Sequence, residues 1–123
     1  MPSRCYGASC SISDMNPLEA FGLLDLRVGR VIRAEPNERA RNPSYKLWID
    51  FGPLGEKTSS AQLRALYRVD ELAGRLVIAA VNLGIRNIAG FTSEVLVLGA
   101  PNADGEVVLL GVDREVPLGG RIY

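Results

Sequence analysis

Residues 45–51 read Y-K-L-W-I-D-F, and this strict alternation constrains the fold more than any other stretch of the chain. Tyr45, Leu47, Ile49 and Phe51 point to one side of an extended backbone, while Lys46, Trp48 and Asp50 point to the other. A period of two fits a strand with one face on a core and one face outward. The outward face then sets a cation, an indole and a carboxylate side by side.

The flanking stretches extend this pattern. Residues 26–35 predict a first strand. Its apolar positions alternate as far as Val28, and then Val31 and Ile32 fall next to each other. Gly29 lies at this slip of phase and predicts a bulge or bend there. Pro36 ends the strand, and residues 37–44 form a polar loop. The G-P-L-G of residues 52–55 is a turn. Residues 57–63 (K-T-S-S-A-Q-L) predict a third strand, hydroxyl-rich and exposed on one face. Residues 69–74 predict a short helix, acidic at its start and closed by Gly74. Residues 76–81 (L-V-I-A-A-V) have the unbroken apolar character of a buried strand. Residues 95–100 and 106–111 flank the turn P-N-A-D-G and predict a hairpin.

The chain also announces a helix near its beginning. Asn16 suits the N-cap, Pro17 the first helical position, and Glu19 the capping-box carboxylate. Leu18, Phe21 and Leu24 make an apolar stripe on a helix too short to be stable alone, so it must pack on the barrel or on a second subunit. The first 15 residues hold Cys5 and Cys10, lack the apolar centre of a secretory signal, and read as a disordered extension.

Three strands, a short helix, two strands and an added hairpin describe an all-β fold over residues 16–123. It is a five-stranded Greek-key OB-fold barrel with a short N-terminal helix, a short helix between strands 3 and 4, and a C-terminal hairpin. A length of 123 residues suits one such domain. No apolar run approaches the roughly 20 residues a bilayer span needs.

The sequence contains no histidine, which removes His-based acid–base chemistry and His-ligated metals. Two thiols in the leading segment complete no zinc site. No nucleophile lies beside a candidate base. The reading is a binding module, with no enzyme activity, metal or cofactor. The formal net charge is zero, which argues against nucleic-acid binding by bulk attraction. Locally the charge is uneven. Residues 27–46 carry six basic groups against Glu35 and Glu38, an excess of four; residues 94–123 carry two against five acidic groups. Arg30, Arg33, Arg39 and Arg41 form either a phosphate-facing patch or a solvated surface.

Between the strand at residues 76–81 and the one at 95–100 lies a polar loop. Its Asn82, Arg86, Ser93 and Glu94 either line a pocket for the backbone of an extended peptide, or satisfy the loop and pair Arg86 with Glu94. Lys46, Ser59 and Gln62 are candidate ligand donors from the neighbouring strands; for Ser59 and Gln62 the other reading is ordinary edge-strand polarity. Trp48 is read as covered by a second subunit or by the N-terminal helix, because aromatics favour such interfaces. With Leu18 and Phe21 it makes the expected dimer contact.

Four segments carry a family resemblance: D-L-R-V-G-R-V (residues 25–31), K-L-W-I-D-F-G (46–52), S-S-A-Q-L (59–63) and G-F-T-S-E-V-L-V-L-G (90–99). Together they resemble the CsaA group, stand-alone members of the tRNA-binding-domain family whose relatives are appended to methionyl-tRNA synthetases. The resemblance implies a cytoplasmic homodimer that binds unfolded or pre-secretory polypeptides beside the SecA export motor. The alternative ligand is tRNA. Relatives that bind tRNA carry S-x-G-M where this chain has Ser93-Glu94-Val95-Leu96, and a carboxylate there would repel phosphate. Gly84-Ile85 replaces the Pro-Pro frequent in CsaA sequences, so this loop is expected to be less rigid.

Overall fold

The computed structural model describes residues 15–123. The expected disordered extension, with Cys5 and Cys10, lies outside the described residues apart from Met15.

Helix α1 (Pro17–Leu23) begins as its sequence predicts. The Asn16 side chain accepts a hydrogen bond from Glu19 N at 2.8 Å, and Pro17 takes the first turn. The helix buries none of its residues, and Leu18 is 80% exposed.

The barrel is built from β1 (Leu26–Pro36), β2 (Tyr45–Asp50), β3 (Glu56–Ala61), β4 (Leu76–Ala80) and β7 (Leu96–Val97). Their order across the sheet is β3-β2-β1-β4-β7, with every pair antiparallel. Helix α2 (Val69–Leu72) falls between β3 and β4 as expected. The sheet curls until Glu94 N and Val95 N both reach Thr58 O, at 2.8 and 3.2 Å. The barrel is thus nearly closed, and the OB-fold expectation holds. Its core is formed by Val31, Leu47, Ile49, Phe51, Leu72 and Val77, each fully buried. The outward residues Lys46, Trp48 and Asp50 are half-buried, so the predicted alternation of β2 is seen at every position.

The irregularity in β1 is real, but it lies further along than expected. The register slips between Val31 and Arg33, and the extra residue is Ile32, which turns outward. The adjacent apolar pair therefore marked the bulge itself. Gly29 stays in register opposite Val77 and answers a different need. A Cβ there would sit 2.6 Å from an Ile49 methyl and 2.7 Å from the Phe51 ring. Glycine is what lets these two large core side chains cross under β1.

Strand β4 is buried on both faces. Beneath it lies the main core; above it a second cluster joins Leu26, Ile78 and Ala80 to Leu98, Val112 and Ile122. Leu98, Val112 and Ile122 cover it from either side of the predicted hairpin, β8 (Gly99–Pro101) with β9 (Val107–Leu109), whose own Val107 and Leu109 pack on the main core. Residues 119–122 then run along the first half of β1. Gly119 N donates to Val28 O at 2.8 Å, Val28 N to Gly120 O at 2.9 Å, and Ile122 N to Leu26 O at 2.8 Å.

At the start of α2 the Glu71 carboxylate accepts from Arg68 N at 2.9 Å. Arg68 also grips Asp70, and this hydrogen bond holds the fully exposed Asp70 carboxyl below the usual aspartate range. No helix among the described residues is long and apolar enough to cross a membrane.

Candidate functional site

The stretch read as a polar loop contains a small hairpin, β5 (Arg86–Ile88) paired with β6 (Phe91–Ser93). Its turn is Ala89-Gly90, with both residues at positive φ (51° and 82°), and Asn87 Oδ1 accepts from Gly90 N at 3.1 Å. Such a turn matches the twist of a two-residue hairpin. The turn is anchored on the loop after β1. Asn37 is buried and donates to Ile88 O at 3.4 Å, and the Arg39 guanidinium packs against Gly90.

The hairpin leads into the seam between β3 and β7, and hydroxyls close that seam. Ser59 Oγ donates to Val95 O at 2.8 Å, and Ser60 N donates to Ser93 Oγ at 3.0 Å. Thr58 Oγ1 donates to Thr92 O at 2.6 Å and to Glu94 Oε1 at 2.9 Å, while Thr58 N also donates to that carboxylate at 3.1 Å. Ser59 and Ser93, expected as ligand donors, are therefore buried and occupied in closing the barrel. The structure gives these two residues a role in the seam. Asn82 is likewise committed: its Oδ1 accepts from Asp25 N at 3.0 Å and its Nδ2 donates to Leu23 O at 2.8 Å, tying α1 to the barrel. Glu94 holds Thr58, so the alternative in which it pairs with Arg86 at the surface is not the one seen among the described residues.

Arg86 is left exposed, with no hydrogen-bond or ion-pair partner among the described residues. It stands at a pocket of about 160 Å³ whose walls are chiefly apolar: Leu83, Ile88, Val95 and Leu96, with Ser60 beneath. Leu83 is 53% and Leu96 51% exposed. Sequence reasoning placed Arg86 here but missed the leucines. Leu83 stands alone among polar and glycine neighbours, and Leu96 lies within the apolar run of residues 95–98, so neither signals an exposed wall.

A second cluster covers the outward face of β2. The Arg33 guanidinium lies 4.4 Å from the centre of the Trp48 ring. Phe91 meets Trp48 edge to face at 5.5 Å, and Lys46 Nζ is 5.7 Å from the Phe91 ring. Trp48 is thus half-buried under Arg33 and Phe91 of its own chain. Phe91 was not anticipated. The four expected patch arginines divide. Arg33 joins Trp48 and also pairs with Glu35, and Arg39 lies at the nearby hairpin turn. Arg41 borders a small cavity beside Ser60 and Gln62. Arg30 is elsewhere, donating to Gly74 O at 2.7 Å and to Glu115 at 2.9 Å. Gln62 is exposed just beyond β3.

This architecture has relatives. The family model described as "Putative tRNA binding domain" matches residues 26–121, nearly the whole described chain. The chain belongs to the tRNA-binding-domain family. Among solved structures, the CsaA chaperone of Bacillus anthracis is 47% identical, with a TM-score of 0.83 over 89% of this chain and 99% of that one. The CsaA chaperone of Picrophilus torridus is 44% identical, with a TM-score of 0.82 over 89% of this chain and all of that one. The methionine–tRNA ligase of Methanococcus vannielii is 37% identical over 117 residues, which are 95% of this chain and 17% of the ligase. The chain thus spans less than a fifth of the curated ligases it matches. In this member of the family, Ser93 makes a barrel-closing hydrogen bond.

Proposed function

We propose that this tRNA-binding-domain protein acts as a CsaA-like chaperone, a non-catalytic cytoplasmic module that holds unfolded or pre-secretory polypeptides before export. The observation that carries this reading is the Arg86 pocket. Exposed leucines surround a cation with no carboxylate of its own, in a chain whose formal net charge is zero. Apolar walls suit side chains that unfolding exposes, and a lone guanidinium suits carbonyl or carboxylate oxygens. The likeness to two CsaA chaperones over their full length supports the same assignment. The test is suppression of aggregation of a denatured model protein at stoichiometric amounts. The wild type should suppress it. Leu96→Asp, at an exposed position, should remain folded and lose at least about tenfold in potency. A wild type that leaves aggregation unchanged rejects the reading.

A second reading is tRNA binding, supported by the Trp48–Phe91 cluster with Arg33 and Lys46 around it. Aromatic faces between cations can stack bases while the cations meet phosphates. This binding should weaken steeply with salt. Millimolar affinity at low salt would rule it out.

The exposed face of α1 supports self-association through Leu18 and Phe21. Phe21→Asp should convert a dimer to a monomer in sedimentation. A wild type that sediments as a monomer at micromolar concentration rejects this part.

A further inference from the structure

The Arg86 pocket does not stand alone. A cavity of about 150 Å³ shares Ser60 and Ile88 with it, and adds Arg41, Ser44 and Gln62. A larger cavity of about 530 Å³ takes over at Gln62 and continues to Arg64 and to Glu106, beside the β8–β9 turn. Ser60 and Gln62 are two residues apart, which in an extended chain places them on one side of it. The three cavities therefore succeed one another along the edge of β3. That edge is the end of the sheet, and the last bond of the seam is the one from Ser60 N to Ser93 Oγ.

The chemistry changes along this line. The first cavity is apolar with Arg86 at its rim. The second has Arg41, exposed and without an ion pair among the described residues, and Ser44, which is buried with its hydroxyl unpartnered. The third has Arg64, whose nearest carboxylate is Glu38 at 3.9 Å, and ends on the Glu106 carboxylate.

We propose that the three cavities form one track that holds an extended polypeptide along the open edge of β3, with an apolar side chain in the Arg86 pocket and acidic side chains against Arg41 and Arg64. The proposal rests on the polypeptide reading above and specifies how that ligand lies. A peptide strand suits the track, because its alternate side chains fall on one side at the pitch of the barrel strand beside it. A polyanion suits it less. Its first station is apolar and its last carries a carboxylate, either of which is unfavourable for a phosphate backbone.

The experiment uses the full chain and a labelled, permanently unfolded polypeptide of acidic composition, read by fluorescence anisotropy. The double variant Arg41→Glu/Arg64→Glu changes two exposed groups and should weaken binding by about tenfold or more, with unaltered thermal melting. A photo-crosslinker placed at Gln62 should capture the polypeptide, and the same group at Asp113, exposed and lining none of the three cavities, should not. If Leu96→Asp abolishes binding while the double variant and the Gln62 probe have no effect, the track is refuted and the chaperone reading stands. If the wild type binds no unfolded polypeptide, both fall. If the double variant loses affinity only for tRNA, the track serves nucleic acid and the proposal is overturned.

Discussion

Strands β1 and β3 belong to one sheet, yet their edges are satisfied in different ways. β1 has β2 along its second half, β4 along its first half, and the chain's last segment on the side that β2 leaves open. Even at the bulge, Val31 is held by backbone bonds to Gly74 and Arg75 at 2.7 and 2.9 Å. β3 ladders with β2 alone; its other edge is held by two backbone bonds, from Glu94 N and Val95 N to Thr58 O, and by the hydroxyls of Thr58, Ser59 and Ser93. Backbone ladders leave no room between strands, whereas side-chain bridges do. The pockets lie on this incompletely paired edge, which is also where an extended chain can be accepted.

The comparison can be broken from either side. The largest effect is expected at the laddered strand. Gly29→Val would drive a branched side chain into Ile49 and Phe51, and should cost about 3 kcal/mol or more, read as a lowered denaturation midpoint. A loss below about 1 kcal/mol would mean that the core yields there, and that β1 is no more rigid than β3.

At the seam the expected loss is smaller. Ser59→Ala removes the shorter bond to the buried Val95 carbonyl, leaving only the 3.4 Å one from Ser93 Oγ, and should cost about 1–2 kcal/mol. Thr58→Val removes bonds at a half-exposed position and should cost about 1 kcal/mol or less. The effects should also differ in kind. Both seam variants should speed amide exchange in β6 and β7 while sparing β1 and β4. Uniform loss of protection would show that the two edges unfold as one.

The smallest effect lies away from both edges. Asp70 is held below the usual aspartate range by Arg68, so its contribution is present above the unfolded-state value and fades as pH falls through the lower folded-state value. Asp70→Asn should therefore melt slightly below the wild type at neutral pH. The difference should vanish in strong acid. A difference that persists there would point to the helix start rather than to charge.

How much of this was legible in the sequence follows the same division. Where burial and backbone pairing agree, the pattern is plain: Tyr45 to Asp50 alternates, and residues 76–80 are apolar because both faces are covered. The Asn16 cap was readable because its partner is three residues away. Ser59 was not, because its partner Val95 is 36 residues away and nothing local shows that a serine turns inward. The β5–β6 hairpin escaped because its turn is Ala89-Gly90 and not one of the asparagine–glycine pairs that signal such turns. Of the candidate site, Arg86 was legible as a lone cation in a loop. Its leucine walls and the Trp48–Phe91 contact required the fold to bring them together.

The strip of residues 119–122 on β1 has a consequence in time. Arg27 and Gly119, joined by a 3.0 Å hydrogen bond, are 92 positions apart in sequence. A chain emerging residue by residue makes β1 early, but the first half of that strand keeps one bare edge until these last residues arrive. Closure over so long a loop is slow. Between the completion of β4 and the arrival of residues 119–122, a nascent copy of this domain is therefore a polypeptide with an exposed strand edge and an uncovered apolar patch at Leu26, Ile78 and Ala80.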